Sequence, residues 1–98
     1  MNKTIKELMQ ESHETAISKG WWDTDRNFGE QLALMHSELS EVLEEYRMTG
    51  LDPKYFIHTI NLKPSGIAVE FADLLIRVFD TCDRYGIPLG EAVKMKME

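Results

Sequence analysis

The sequence contains a single cysteine, Cys82, so no disulfide can form within the chain and nothing in its cysteine usage points to an oxidising compartment. No apolar run approaches the roughly 20 residues of a membrane span. The opening stretch, Met1 to Gln10, is charged and lacks the apolar core of a signal peptide. The expectation is therefore a cytoplasmic protein with no membrane partner. Basic residues are outnumbered, 11 Lys and Arg against 17 Asp and Glu, for a net charge of −6. They are scattered and form no stripe, so counterion release from nucleic-acid phosphates has no surface to work on and no nucleic-acid partner is expected. Strict strand-type alternation, internal repeats and low-complexity tracts are missing as well.

What is present is helical. The 98 residues, 43% hydrophobic, suit one globular domain spanning 1–98. Ile5, Leu8, Met9, Ser12, Ala16 and Ile17 recur at helical spacing and predict a first helix from about Thr4 to Lys19, stopped by Gly20. A polar connection that opens on Trp21-Trp22 leads to a second helix, from about Phe28 to Met48, ending at Thr49-Gly50. Asp52-Pro53 and Lys63-Pro64 mark breaks in the segment that follows. Between them Tyr55-Phe56-Ile57-His58 suits either a short helical turn or an extended segment. Ser65 is the expected N-cap of a third helix, Gly66 to Tyr85, closed by Gly86, and a short final helix covers Gly90 to Glu98. The fold class is all-α: a bundle of three main helices plus a short C-terminal one.

Placed at about 100° per residue from Glu70, the third helix is apolar over an arc of roughly 40° to 260°. That arc holds Cys82, where a small buried hydrophobe is the expected role, and Asp83 is its only charge. Glu70, Asp73, Arg77, Asp80, Thr81 and Arg84 share the remaining sector. Most surface helices show the opposite balance, so this one is expected to pack on several sides with its charges confined to a polar cleft. On the second helix Phe28, Leu32, Met35, Leu39, Val42, Leu43 and Tyr46 form the apolar face, and Glu38, Glu41 and Glu45 cluster at its edge.

Each helix thus carries carboxylates at i and i+3, projecting from one side. Such pairs repel by a few tenths of a kcal/mol even when exposed. A divalent cation removes the repulsion, and carboxylate oxygens with room for water suit Mg²⁺ or Mn²⁺. A di-iron bundle would need Glu-x-x-His, whereas Glu41 and Asp73 occupy the relevant positions. On spacing alone, these acids equally suit a solvated helix face.

The surrounding strings narrow the choice. Lys19-Gly20-Trp21-Trp22, the run Glu30–Arg47 centred on Glu38-Leu39-Ser40-Glu41, and the run Lys63–Asp80 carrying Glu70-Phe71-Ala72-Asp73 resemble the MazG-like branch of the all-α NTP pyrophosphatase superfamily. Tyr85-Gly86-Ile87 and Glu91-Ala92-Val93-Lys94 extend the resemblance over nearly the whole chain. It implies hydrolysis of a nucleoside triphosphate, often a deoxynucleotide, to the monophosphate and pyrophosphate, in nucleotide-pool control or house-cleaning. Glu38, Glu41, Glu70 and Asp73 match the family's Mg²⁺ ligands.

Glu45, one turn beyond Glu41, is a candidate to position or deprotonate the attacking water or to hold a further ion, and equally a solvated glutamate. His13 and Trp22 correspond to base contacts in relatives that resemble deoxycytidine triphosphate pyrophosphatases; alternatively one or both tryptophans plug the bundle end. Arg77 and Lys63 are candidates for the outer phosphates, Arg77 equally for neutralising Glu70 and Asp73. His36 and His58 have no matching role and are expected to be structural or solvated. Many MazG-like relatives continue past the final helix with a polar tail rich in Asn, Arg, His, Gly and Lys, whereas this sequence stops at Met97-Glu98.

A third helix apolar over most of its girth calls for cover from another copy, and the resemblance likewise implies a homodimer or a tetramer built from dimers, with sites drawing on more than one chain. The rival readings are a non-catalytic nucleotide-binding or protein-interaction module and a purely structural helical oligomer.

Overall fold

The computed structural model describes residues 2–98. Four helices carry the chain: α1 (Ile5–Ser18), α2 (Phe28–Thr49), α3 (Ile67–Arg84) and α4 (Leu89–Met97). A single 3-10 turn, Pro53–Tyr55, and two short strands, β1 (His58–Ile60) and β2 (Lys63–Ser65), lie between α2 and α3. No helix of the described residues is long and apolar enough to cross a membrane. The described residues gather into two compact units. One takes the chain up to Phe28 together with Ile76–Glu98, and the other is Gly29–Leu75.

In the first unit, α1 begins with a capping box. Thr4 Oγ1 accepts from the Glu7 N–H, and the Glu7 carboxylate accepts from the Thr4 N–H, which satisfies two donors the helix leaves open. The helix stops as expected at Gly20, whose φ of +82° costs a glycine little. The Gly20 N–H donates to the Ile17 carbonyl and the Trp21 N–H to that of Ala16, the paired bonds of a Schellman motif. The same arrangement ends α3, where the Ile87 N–H donates to the Cys82 carbonyl at 2.8 Å. α4 packs on α1, with Gly90 against Ile5. Met9 and Cys82 are buried here, and burial pushes the Cys82 thiol pKa up, in keeping with its reading as a small core hydrophobe.

In the second unit, α2 ends where the Gly50 N–H donates to the Tyr46 carbonyl at 2.7 Å. The stretch that sequence left open between helical and extended is both in turn: a 3-10 turn up to Tyr55, capped by the Asp52 side chain, then a strand from His58. β1 and β2 pair antiparallel, His58 with Ser65, Thr59 with Pro64 and Ile60 with Lys63. This hairpin departs from the all-helical expectation because its strands are too short to show alternation. Asn61 and Leu62 make the two-residue turn, both with positive φ (52° and 66°), and Leu62 is 97% exposed.

Ser65 is not the N-cap of α3 but the end of β2. The turn into the helix is made by Gly66 at φ +120°, where a Cβ would lie 2.3 Å from the Phe56 carbonyl oxygen. That carbonyl accepts from the Ala68 N–H at 3.1 Å, so a main-chain oxygen does the work expected of the serine hydroxyl. Val42 and Ile67 are buried, yet the apolar faces of both helices remain largely open. Leu39 is 51% exposed, Phe71 47% and Leu75 51%. Leu39, Val42, Leu43, Tyr46, Ile67 and Phe71 line an open groove of about 590 Å³.

Candidate metal centre

The acids of α2 and α3 come together within the Gly29–Leu75 unit. Glu38, Glu70 and Asp73 each offer a carboxylate oxygen, and these three lie within 4.8 Å of one another. Glu38 and Glu70 are half-buried and Asp73 is exposed, so the cluster has a sheltered floor and an open rim. Glu70 and Asp73 sit one turn apart on α3, at the end of the helix fixed by the Phe56 carbonyl.

Electrostatics gives the cluster a wider circle. The Glu70 carboxyl is held above the usual carboxylate range, first by burial, then by the charges of Asp73, Glu41, Glu45 and Glu38. The other four acids singled out from the sequence therefore all act on Glu70. Glu41 and Glu45 stand outside the close set of three, along later turns of α2, with Glu41 exposed and Glu45 half-buried. Lys63 is an exposed residue of β2.

Opposite oxygens on a six-coordinate Mg²⁺ stand about 4.2 Å apart. Neighbouring oxygens on such an ion stand about 3.0 Å apart, so carboxylate oxygens within 4.8 Å of one another would have to close by up to about 1.8 Å, within the reach of flexible side chains. The donor set is all oxygen with no sulfur or imidazole, which suits Mg²⁺, Mn²⁺ or Ca²⁺ over softer ions.

His13 and Trp22 also come together, within the other unit and around a residue that sequence reasoning gave no role. His13 Nδ1 lies 2.7 Å from Asp80 Oδ1, and the Trp22 indole N–H donates to the same oxygen at 2.9 Å. Asp80 is only 6% exposed. The His13 and Trp22 rings meet edge to face at 5.9 Å, Tyr85 contacts the Trp22 ring at 6.4 Å, and the Arg84 guanidinium lies 4.8 Å over it. The sequence signal for Asp80 was limited to its place in the polar sector of α3; nothing local pairs it with His13 and Trp22, the donors that a buried carboxylate needs.

Trp21 takes a different place. Its ring lies under the guanidinium groups of Arg26, at 3.8 Å, and Arg77, at 4.5 Å, and its carbonyl accepts from Arg26 Nε. Arg77 therefore stacks on an aromatic face. His36 borders the apolar groove, and His58 packs edge-on against Tyr55 with its Nε2 buried. Comparison of the chain with protein-family models, curated proteins and solved structures gave no match.

Proposed function

We propose that this chain is a Mg²⁺-dependent nucleoside triphosphate pyrophosphohydrolase that converts its substrate, a deoxynucleotide by preference, to the monophosphate and pyrophosphate. The observation that carries the reading is the convergence of Glu38, Glu70 and Asp73 from two helices, with Glu70 pushed toward its protonated form by burial and four neighbouring carboxylates. The strings around these residues, with their MazG-like resemblance, support the same reading and add Glu41 as the fourth ligand.

In this reading Glu38, Glu41, Glu70 and Asp73 hold Mg²⁺, with Mn²⁺ as a substitute. A divalent ion held there would supply charge neutralisation for the phosphates and Lewis acidity for hydrolysis. Glu45 orients the attacking water or takes its proton. His13 and Trp22 serve the base, while Arg77 and Lys63 serve the outer phosphates. The open apolar faces around Leu39, Phe71 and Leu75 support association with further copies as a homodimer or a tetramer built from two dimers. In this reading the chain serves nucleotide-pool control or house-cleaning in the cytoplasm.

The test is pyrophosphate release from a panel of NTPs and dNTPs with Mg²⁺, comparing the natural chain with Glu41→Gln and Asp73→Asn. Turnover that both substitutions abolish supports the reading. Mg²⁺-dependent nucleotide binding without turnover would instead make the chain a binding module. Neither binding nor turnover would sink the site assignment.

A further inference from the structure

We propose that Asp80 is a positioning residue that locks His13 with its proton on Nδ1 and so turns Nε2 into a fixed hydrogen-bond acceptor, which selects bases bearing an exocyclic amino group over their oxo counterparts. This rests on the proposed role of His13 as a base contact.

An ionised carboxylate has only acceptor sites, so the short Nδ1 to Oδ1 approach of 2.7 Å requires the proton to sit on Nδ1. In its neutral form the ring then has a lone pair on Nε2. Among the described residues Nε2 has no hydrogen-bond partner, which leaves it available to a ligand. The Trp22 indole N–H can only donate, and its bond to the same Oδ1 at 2.9 Å keeps that oxygen in an acceptor role. Two donors on one buried oxygen thus hold Asp80 as the acceptor. The edge-to-face packing of His13 on Trp22, and of Trp22 on Tyr85, fixes the orientation of the ring as well as its proton.

A fixed acceptor discriminates by the polarity of what faces it. The 4-amino group of cytosine and the 6-amino group of adenine donate, whereas the oxo groups of uracil and hypoxanthine at the same positions place a second lone pair against Nε2. Each pair shares its ring framework and sugar, so shape and stacking are closely matched while the exocyclic group and the ring nitrogen beside it change polarity; the Asp80→Asn comparison then assigns the preference to Nε2. One net hydrogen bond corresponds to about a tenfold preference.

The experiment has two arms. Nitrogen NMR of the labelled natural chain, at a pH where the imidazole is neutral, is expected to show His13 protonated on Nδ1, and Asp80→Asn to shift it toward a mixture, because an asparagine amide both accepts and donates. In the second arm kcat/KM is measured, at that same pH, for dCTP against dUTP and for dATP against dITP. The natural chain should favour the amino member of each pair about tenfold. Asp80→Asn should bring both ratios close to one, whatever it does to the absolute rate.

A His13 protonated on Nε2 in the natural chain overturns the proposal, even if Asp80→Asn fails to fold. So does a folded Asp80→Asn variant that keeps the amino preference. Absence of turnover with every nucleotide is a different result: it overturns the pyrophosphohydrolase reading and the base preference with it, while the NMR arm still decides whether Asp80 sets the tautomer.

Discussion

Glu38 of α2 and Glu70 of α3 hold carboxylate oxygens within 4.8 Å of each other, although the end of α2, a 3-10 turn and a hairpin lie between them in sequence. Two half-buried acids at this distance repel, and their proximity is maintained by the helices that carry them. The arrangement is an electrostatic debt that a cation would cancel.

Addition of Mg²⁺ should raise the melting temperature. At a hundredfold excess over Kd the ion adds about 2.7 kcal/mol, which for a domain of this size is roughly 10–20 °C. Glu38→Gln and Asp73→Asn should remove most of that gain, and Glu14→Gln, on exposed α1, should leave it intact. Differential scanning fluorimetry across a Mg²⁺ titration checks this, and a flat melting curve for the natural chain would eliminate the metal centre.

Stability without metal should fall as pH rises. The folded-state pKa of Glu70 is raised from its ordinary value of 4.5, so the native chain binds this proton more tightly than the unfolded chain. Its contribution is fully present below about pH 4.5 and is lost as pH climbs through the raised folded value. Glu70→Gln should flatten that segment of the profile and, by removing one of the clustered charges, stabilise the metal-free protein at neutral pH by roughly 0.5–1 kcal/mol. Urea melts between acidic and neutral pH measure both effects. A natural chain whose stability rises across this interval, with Glu70→Gln parallel to it, would contradict the assignment.

Gly66→Ala should be among the most damaging single substitutions outside the acids. A methyl group there meets the Phe56 carbonyl oxygen at 2.3 Å, and φ of +120° is strained for any side chain. The loss should be at least about 2 kcal/mol, together with weaker Mg²⁺ binding, since the turn sets where α3 and its acids begin. Chemical denaturation with and without Mg²⁺ reads both.

Leu62→Gly should do the reverse. Leucine at φ +66° carries a left-handed conformation that costs about 1–2 kcal/mol, and its 97% exposure shows no intrachain packing in return. Asn-Gly is the favoured pair for this turn, so a gain of about 1 kcal/mol is expected. A loss on substitution would mean that the exposed leucine packs against a partner.

The helices are legible because their signals are local. Thr4 and Glu7 announce the start of α1 and Gly20 its end, and the angular sorting of α3 already separates Glu70 and Asp73 from the apolar arc. The hairpin escapes such reading, since strands of three residues with Pro64 inside one carry no usable period. Ser65 misleads for a physical reason: the donor it was expected to satisfy at α3 is taken by a carbonyl, and a main-chain acceptor leaves no mark in the sequence. The three-acid cluster follows from helical spacing plus the pairing of two helices. Asp80 does not, because its partners lie 67 and 58 residues away and only the folded chain brings them to it.

The carbonyl that opens α3 has one more implication. Every amino acid brings the same backbone oxygen, so the acceptor at position 56 does not depend on the side chain installed there, while at position 66 a Cβ would already collide with that oxygen. Substitutions at 56 other than proline, which would lose the N–H that Pro53 accepts, therefore keep the cap, whereas position 66 should be left untouched. The bend offers a place to reshape the approach to the acids without disturbing the peg from which they hang.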